Sequence, residues 1–371
     1  MALVFVVLPF LGTVLAMVLL WNQYVFAQDI VLMLLFTLLT GIGVTIGYHR
    51  MLTHQGFQTS PVVRGILLIL GCMAMEGAPI GWSGMHIKHH AFSDQEGDPH
   101  SPLHGFWHAH LGWVFTDAES KAADKYAPHL QSDPVAVFVE RTQVLWMALS
   151  LLLPGFLGGW TGLLWGGVVR MFITQHVTWS VNSVCHTFGK RAFETNDESR
   201  NNWIVGLLAF GEGWHNNHHA FPSNAFHGMR WWQFDLSGFI IRGLEKAGLV
   251  WDVQRVSLEA ADAQRTRMQA MREGLDDLRK SVLSSLVAMR KEIAGLGDRM
   301  LPEELFTDAQ WAQAIAFQQE ALRRLDDMRQ AVIRSQNLKR QRMLHYQREA
   351  QKMLQEVKMK WVVTTGRTSA A

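Results

Sequence analysis

The chain is poor in cysteine and in charge, and its first 49 residues contain no lysine or arginine. Two cysteines, Cys72 and Cys185, in 371 residues exclude a disulfide framework, and without a cysteine cluster there is no iron–sulfur site. Both read as buried small hydrophobes. Charged residues make up 18% and hydrophobic residues 49% of the sequence, which excludes a disordered chain and suggests lipid as an environment. The opening run MALVFVVLPFLGTVLAMVLL has no basic residue ahead of it, as a secretory signal would require. It is expected to be a retained first transmembrane helix.

The mean hydropathy of +0.04 averages two unlike parts. Residues 1–254 hold 13 of the 34 Lys+Arg and 17 of the 32 Asp+Glu, while residues 255–371 hold 21 and 15. A sparsely charged, slightly acidic part is therefore followed by a charge-dense basic one. This divides the chain into a membrane domain over 1–256, a cytoplasmic helical region over 257–361 and a flexible tail over 362–371.

A spanning helix needs about 20 apolar residues. Four stretches are expected to span: 3–20, 30–48, 135–157 and 160–182. A fifth run, 62–80, carries Arg64 and Glu76 and is broken by Gly77, Pro79 and Gly81, so a buried or interfacial helix is expected there. The linkers 21–29 and 155–161 contain no basic residue. By the positive-inside rule, the basic regions 50–141 and 184–371 are cytoplasmic. The expected molecule is a multi-pass integral membrane protein, of a bacterial inner membrane, with both termini and its chemistry on the cytoplasmic side.

Seventeen histidines are present, and they cluster. The groups are His49-Arg-Met-Leu-Thr-His54, His86-Ile-Lys-His89-His90 and His215-Asn-Asn-His218-His219, with His186 in Asn182-Ser-Val-Cys-His186. Residues i, i+3 and i+4 share a helix face, so each HxxHH is expected to aim three imidazoles at one point. Asn182 and His186 share a face in the same way. His49 and His54 are about 140° apart on an ideal helix, so either that helix unwinds or the pair serves two metals. A helix over 30–54 would run about 37 Å against a hydrocarbon core of about 30 Å, which lifts His49 and His54 just clear of the cytoplasmic face. Nine histidines converge there, more than one metal takes. Imidazole suits iron, copper and zinc, and a paired, histidine-rich site beside a membrane points to redox metal and O2, with iron first.

At these residues the sequence resembles the membrane fatty-acid desaturases, specifically the stearoyl-CoA-desaturase-like acyl-CoA Δ9 group. The resemblance runs from about His49 to Val256. It rests on HRMLTH (49–54), HIKHHAFSDQEGDPHS (86–101), NSVCH (182–186) and GEGWHNNHHAFP (211–222). It implies an all-α fold: a four-helix transmembrane bundle capped by a histidine-rich di-metal site. The implied ligands to two iron ions are His49, His54, His86, His89, His90, His186, His215, His218 and His219. Asn182 would hold a metal-bound water, Asp94 and Asp98 form the acidic motif, and Trp82 and Trp179 line an acyl tunnel. The implied reaction uses O2 to remove two hydrogens from neighbouring CH2 groups and leaves a cis double bond, with no acid or base beyond the metal ligands. One departure is Ile87, where the family usually has arginine, which puts in doubt whatever that arginine contacts, the acyl carrier included.

Other polar residues have plainer roles. Glu212, between Gly211 and Gly213, is a candidate to orient a ligand imidazole by a hydrogen bond. His100, His104, His108 and His110 are expected around the centre or at the interface, and His176 to have a polar partner inside the bundle. Trp231-Trp232-Gln233-Phe234 suits the membrane interface. From Leu258 apolar residues recur at 3–4 spacing among charges, the pattern of a coiled-coil seam. Breaks at Gly295, Gly297 and Pro302 predict a two-helix hairpin whose second helix runs from about Pro302 to Lys360. This region offers a surface for a protein partner or self-association.

The expected partners are an acyl-CoA (or an acyl-carrier-protein or lipid acyl) substrate, membrane lipid, and a separate electron donor of ferredoxin or cytochrome type with its reductase. Nucleic acid is not expected. A membrane di-iron fatty-acid or alkane hydroxylase is the alternative function, and a catalytically silent scaffold built on the helical region is the non-enzymatic one.

Overall fold

The computed structural model describes residues 2–21, 25–116, 119–298, 307–334 and 340–365. They form two compact units, 1–265 and 266–371.

The first unit is helical. Its elements are α1 (Ala2–Trp21), α2 (Ala27–Ile42), α3 (Pro61–Cys72), α4 (Pro79–Phe92), α5 (Phe106–His110), α6 (Glu119–Tyr126), α7 (Pro134–Arg141), α8 (Gln143–Gly162), α9 (Arg170–Ser183), α10 (Trp203–Leu208), α11 (His215–Ala220) and α12 (Leu236–Lys246). The only strands among the described residues, β1 (Gln58–Thr59) and β2 (Val250–Trp251), pair antiparallel. This is a small exception to the all-α expectation. Helix starts follow local chemistry: Ser60 caps α3 ahead of Pro61, and Asp133 caps α7 while pairing with Arg64.

Two helices are long and apolar enough to cross a membrane, Ala27–Thr53 with 27 residues and Gln143–Ser183 with 41. The segment Val6–Leu20 is shorter than that length. The expected span 135–157 needs correction. Glu140 and Arg141 belong to α7, a separate helix, and the apolar helix starts only at Gln143. The 41-residue stretch reverses at Gly159, whose φ of 67° and ψ of −154° are non-helical and essentially confined to glycine. The two arms pack closely: a Cβ on Gly162 would fall 2.4 Å from the Pro154 carbonyl oxygen. Arg170 lies fully buried inside the second arm, donating to the carbonyls of Met73, Ser150 and Gly166 and to the Ser150 hydroxyl. A cation can sit there because each of its three nitrogens finds an acceptor.

α2 continues as a π-helix over Gly43–Thr53, which packs against α3. Glycines set this close approach: a Cβ on Gly43 would lie 2.0 Å from the Gly71 nitrogen. The main core, with Ile46, Leu52, Phe57, Leu68 and Ile241, surrounds this segment.

The second unit corrects the expected hairpin. It holds three helices, α13 (Leu258–Asp298, entered from the first unit), α14 (Asp308–Arg334) and α15 (Arg340–Thr365). The helix runs through Gly295 to Asp298, and the expected start at Pro302 lies outside the described residues. α14 and α15 lie side by side, with Lys360 over the Phe317 ring at 3.6 Å, which one continuous helix cannot do. Val282, Leu286 and Ile293 from α13, Leu325 and Val332 from α14, and Met353 and Val357 from α15 share one core. The seam was legible, but it serves three helices. Of the expected tail, residues 362–365 are helical and 366–371 lie outside the described residues.

Candidate metal centre

The nine clustered histidines meet, sorted into two groups. His49, His54, His86, His90 and His218 present ring nitrogens within 4.8 Å of one another, and so do His89, His186, His215 and His219. Each HxxHH box therefore serves both groups, against the expectation of one point per box. The reason is angular. On a helix at 100° per residue, i and i+4 lie about 40° apart, while i+3 falls about 60° to the other side of i. His86 and His90 go together, as do His215 and His219, and the i+3 residues His89 and His218 turn to the opposite group.

The π-helix resolves the His49–His54 problem in a third way. Its hydrogen bonds run i to i+5, and the His54 backbone N–H donates to the His49 carbonyl at 3.1 Å. Widening the helix brings a five-residue spacing onto one side, and both rings enter one group.

Close nitrogen pairs mark the first group. Nε2 atoms lie 3.1 Å apart for His49–His218, 3.0 Å for His54–His86 and His86–His90, and 2.9 Å for His90–His218. In the second group, His186 and His215 approach to 2.9 Å. Ligands about 2.1 Å from one ion at right angles are about 3 Å apart, so these separations suit a shared cation. Burial and mutual repulsion hold His86, His89, His90, His215, His218 and His219 well below the usual imidazole range. Neutral imidazole is the ligating form. Nε2 of His89 and of His219 are buried without a hydrogen-bond partner, although both rings are held through Nδ1. This donor set fits two metal ions.

Carboxylates fix the rings. His49 Nδ1 bonds Glu212 at 2.5 Å, His89 bonds Asp98 at 3.0 Å, His186 bonds Asp94 at 2.8 Å and His219 bonds Asp197 at 2.8 Å. In each pair the carboxylate accepts from Nδ1, which leaves Nε2 facing its group. Glu212 also accepts from Arg50 and lies 3.2 Å from His227 Nδ1. Burial would raise the Glu212 carboxyl, but the neighbouring His227, His49 and Arg50 hold it well below its ordinary value. Arg50 reaches Asp235 as well, and Asp235 caps α12.

A cavity of about 350 Å³ abuts the centre. Trp82, Trp179 and Asn182 line it beside His49, His86 and His215, with Met33, Val44, Ile173 and Val177 among its apolar walls. The Trp82 ring stacks on His86 at 5.1 Å.

A family model described as fatty acid desaturase matches residues 29–242. The chain belongs to the fatty acid desaturase family. It is an oxidoreductase of lipid metabolism. Similar proteins include a hex-5-enoyl-[acyl-carrier protein] acetylenase of Moorena producens (strain JHB), 42% identical over 70% of this chain and 87% of that protein. An sn-1 stearoyl-lipid 9-desaturase of Anabaena variabilis is 41% identical over 60% of this chain and 83% of its own length. An acyl-CoA C20 Delta5-desaturase of Anemone leveillei is 40% identical over 57% and 69% respectively.

The sequence reading missed Asp197, His227, Arg50 and Asp235. Asp197 sits in a polar loop and His227 stands alone, and neither has a spacing that marks it. Among the remaining histidines, His100 packs on His89 at 4.3 Å, His110 bonds Ser183 and His176, and His104 and His108 pair at the surface.

Proposed function

We propose that this protein is an O2-dependent desaturase that places a cis double bond at Δ9 of a saturated acyl chain. The observation that carries the reading is the division of nine buried imidazoles into groups of five and four at the wall of an apolar cavity. The first group would hold one iron and the second the other. Bound iron would supply O2 activation and hydrogen removal from unactivated CH2 groups. Overall, the chain's two hydrogens, O2, two electrons and two protons become an alkene and two waters. The electrons come from a separate donor of ferredoxin or cytochrome type with its reductase.

The protein's own part is placement. Asp94, Asp98, Asp197 and Glu212 orient ligand rings, Asn182 is proposed to hold a water beside the centre, and Trp82 and Trp179 are proposed as tunnel walls that fix which carbons face it. Position Δ9 is taken from the relatives whose names carry it. Acyl-CoA, the carrier expected from the resemblance, is named for the Anemone relative, whereas others are named for lipid or acyl-carrier protein. The proposed setting is a four-span membrane domain, the stretch doubled at Gly159 supplying two spans, with both termini and the metal centre cytoplasmic.

The test is expression in a host without desaturases, with fatty-acid analysis by mass spectrometry. A Δ9 mono-unsaturated product is expected, lost in His218→Ala together with bound iron. A hydroxylated product alone would replace this reading with a hydroxylase.

A further inference from the structure

The two groups of imidazoles are braced unequally. In the second group three of the four rings lean on a carboxylate: His89 on Asp98, His186 on Asp94 and His219 on Asp197. In the first group, among the described residues, one ring of five does so, His49 on Glu212. Nδ1 of His218 is buried without a hydrogen-bond partner. A metal site is tight when its ligand rings are held in orientation from behind. Something other than carboxylates must do this for the first group.

His227 stands in the right place. It is 1% exposed and belongs to neither the group of five nor the group of four. Its Nδ1 lies 3.2 Å from Glu212 Oε2, the oxygen that also accepts from His49. Its ring centroid is 4.5 Å from that of His218, with 33° between the planes, and 5.3 Å from that of His49. His49 and His218 are the pair whose Nε2 atoms approach to 3.1 Å. One side chain therefore backs both rings of this pair and the carboxylate behind one of them.

The backbone of His227 is fixed from two sides. Its N–H donates to Asp235 at 2.9 Å, and its carbonyl accepts from Asn217 Nδ2 at 2.8 Å. Asp235 also accepts from Arg50, the chain neighbour of His49, and Asn217 is the chain neighbour of His218. The residue is thus tied to both segments whose rings it meets. Its approach to Glu212 is off the hydrogen-bond direction, and Nε2 has no partner among the described residues. A buried polar group short of partners costs stability, so the fold alone does not account for an imidazole here.

We propose that His227 is a positioning residue of the first group, holding His49 through Glu212 and backing His218, and that it acts on the first iron and not on the second. The inference rests on the two-iron reading above. The selectivity follows from its ring contacts with ligand candidates, which are both with members of the first group.

The experiment uses the full chain, purified in detergent and loaded with Mössbauer-active iron. Iron per chain and the Mössbauer spectrum are read after dialysis against a graded chelator series. His227→Phe keeps a ring against His218 and removes the nitrogen beside Glu212. It is expected to hold the first iron about 10–100-fold more weakly, the loss typical of removing a partner behind a ligand ring. One iron per chain then remains where wild type keeps two. The signal lost is expected to be the one lost in His54→Ala, which removes a ligand candidate of the first group alone. His227→Asn, whose side-chain N–H can stand in for Nδ1–H, is expected to restore the second iron. Two irons retained by His227→Phe at every chelator strength overturn the proposal. Equal loss of both irons, or a loss that His227→Asn does not recover, overturns it as well and makes His227 a packing residue. Wild-type protein that binds fewer than two irons overturns the two-iron reading itself.

Discussion

At the residue scale, carboxylates hold four of the nine clustered imidazoles in place. Asp197 touches the ring of His219 and no other ligand, so Asp197→Asn isolates the orienting effect from loss of a ligand. It is predicted to weaken metal retention by about 10–100-fold, read as iron left after dialysis against a graded chelator series. Wild-type retention would show that His219 is held by its neighbours instead. Glu76 presents a second residue-scale case. It lines the cavity, one of its oxygens is buried without a partner, and burial pushes its carboxyl up to about 8, against hydrogen bonds from Thr178 and Trp82. Between the ordinary value of 4.5 and about 8 the folded chain binds more protons here than the unfolded chain. Stability from this group is therefore full below the lower value and falls as pH rises through the window. Glu76→Gln removes the titration. Its melting temperature in detergent is predicted to match wild type near the bottom of the window and exceed it near the top. A difference independent of pH would contradict the assignment.

Local backbone geometry makes the element scale distinct from the residue scale. The π-helix over Gly43–Thr53 puts His49 and His54 on one side, and the turn at Gly159 folds a 41-residue apolar stretch back on itself. Gly159→Ala forces a side chain into a φ/ψ region that costs on the order of 1–3 kcal/mol, although nothing lies within 4 Å of its would-be Cβ. A drop in detergent melting temperature with unchanged iron content is predicted. A loss of iron would mean instead that the reversal governs the centre. Both elements were partly legible. The histidine spacing stated the His49–His54 problem, and the charge-free linker at 155–161 marked the reversal. The start of the first arm was misplaced because Glu140 and Arg141 stand among apolar residues that look continuous, although Thr142 ends one helix before Gln143 begins the next.

At the scale of the whole molecule, the change in charge near residue 255 coincides with a change of structure. The chain divides into units 1–265 and 266–371, each with its own hydrophobic cores. The nine ligand candidates, their carboxylates and the cavity all lie in the first. A chain ending at Arg265 is therefore predicted to retain bound iron and the unsaturated product in the desaturase-free host. Loss of both would show that the three-helix unit supports the first, and loss of product with iron retained would assign it a part in catalysis or electron supply.

The sequence by itself determined the candidate ligands and the apolar character of the first part of the chain. Nine clustered histidines, acids beside them and a scarcity of charge are chemical facts that need no coordinates; Asp94 and Asp98 came from the family resemblance, and Glu212 from its place just ahead of the third histidine cluster. Only the tertiary structure decided how the ligands divide. Which of three imidazoles in a box turns to which group depends on helix angle, on a π-helix that spacing alone does not predict, and on the side from which α4, α9 and α11 approach. The structure also supplied Asp197, His227 and the Arg50–Asp235 contact, because these partners are brought together across long stretches of chain.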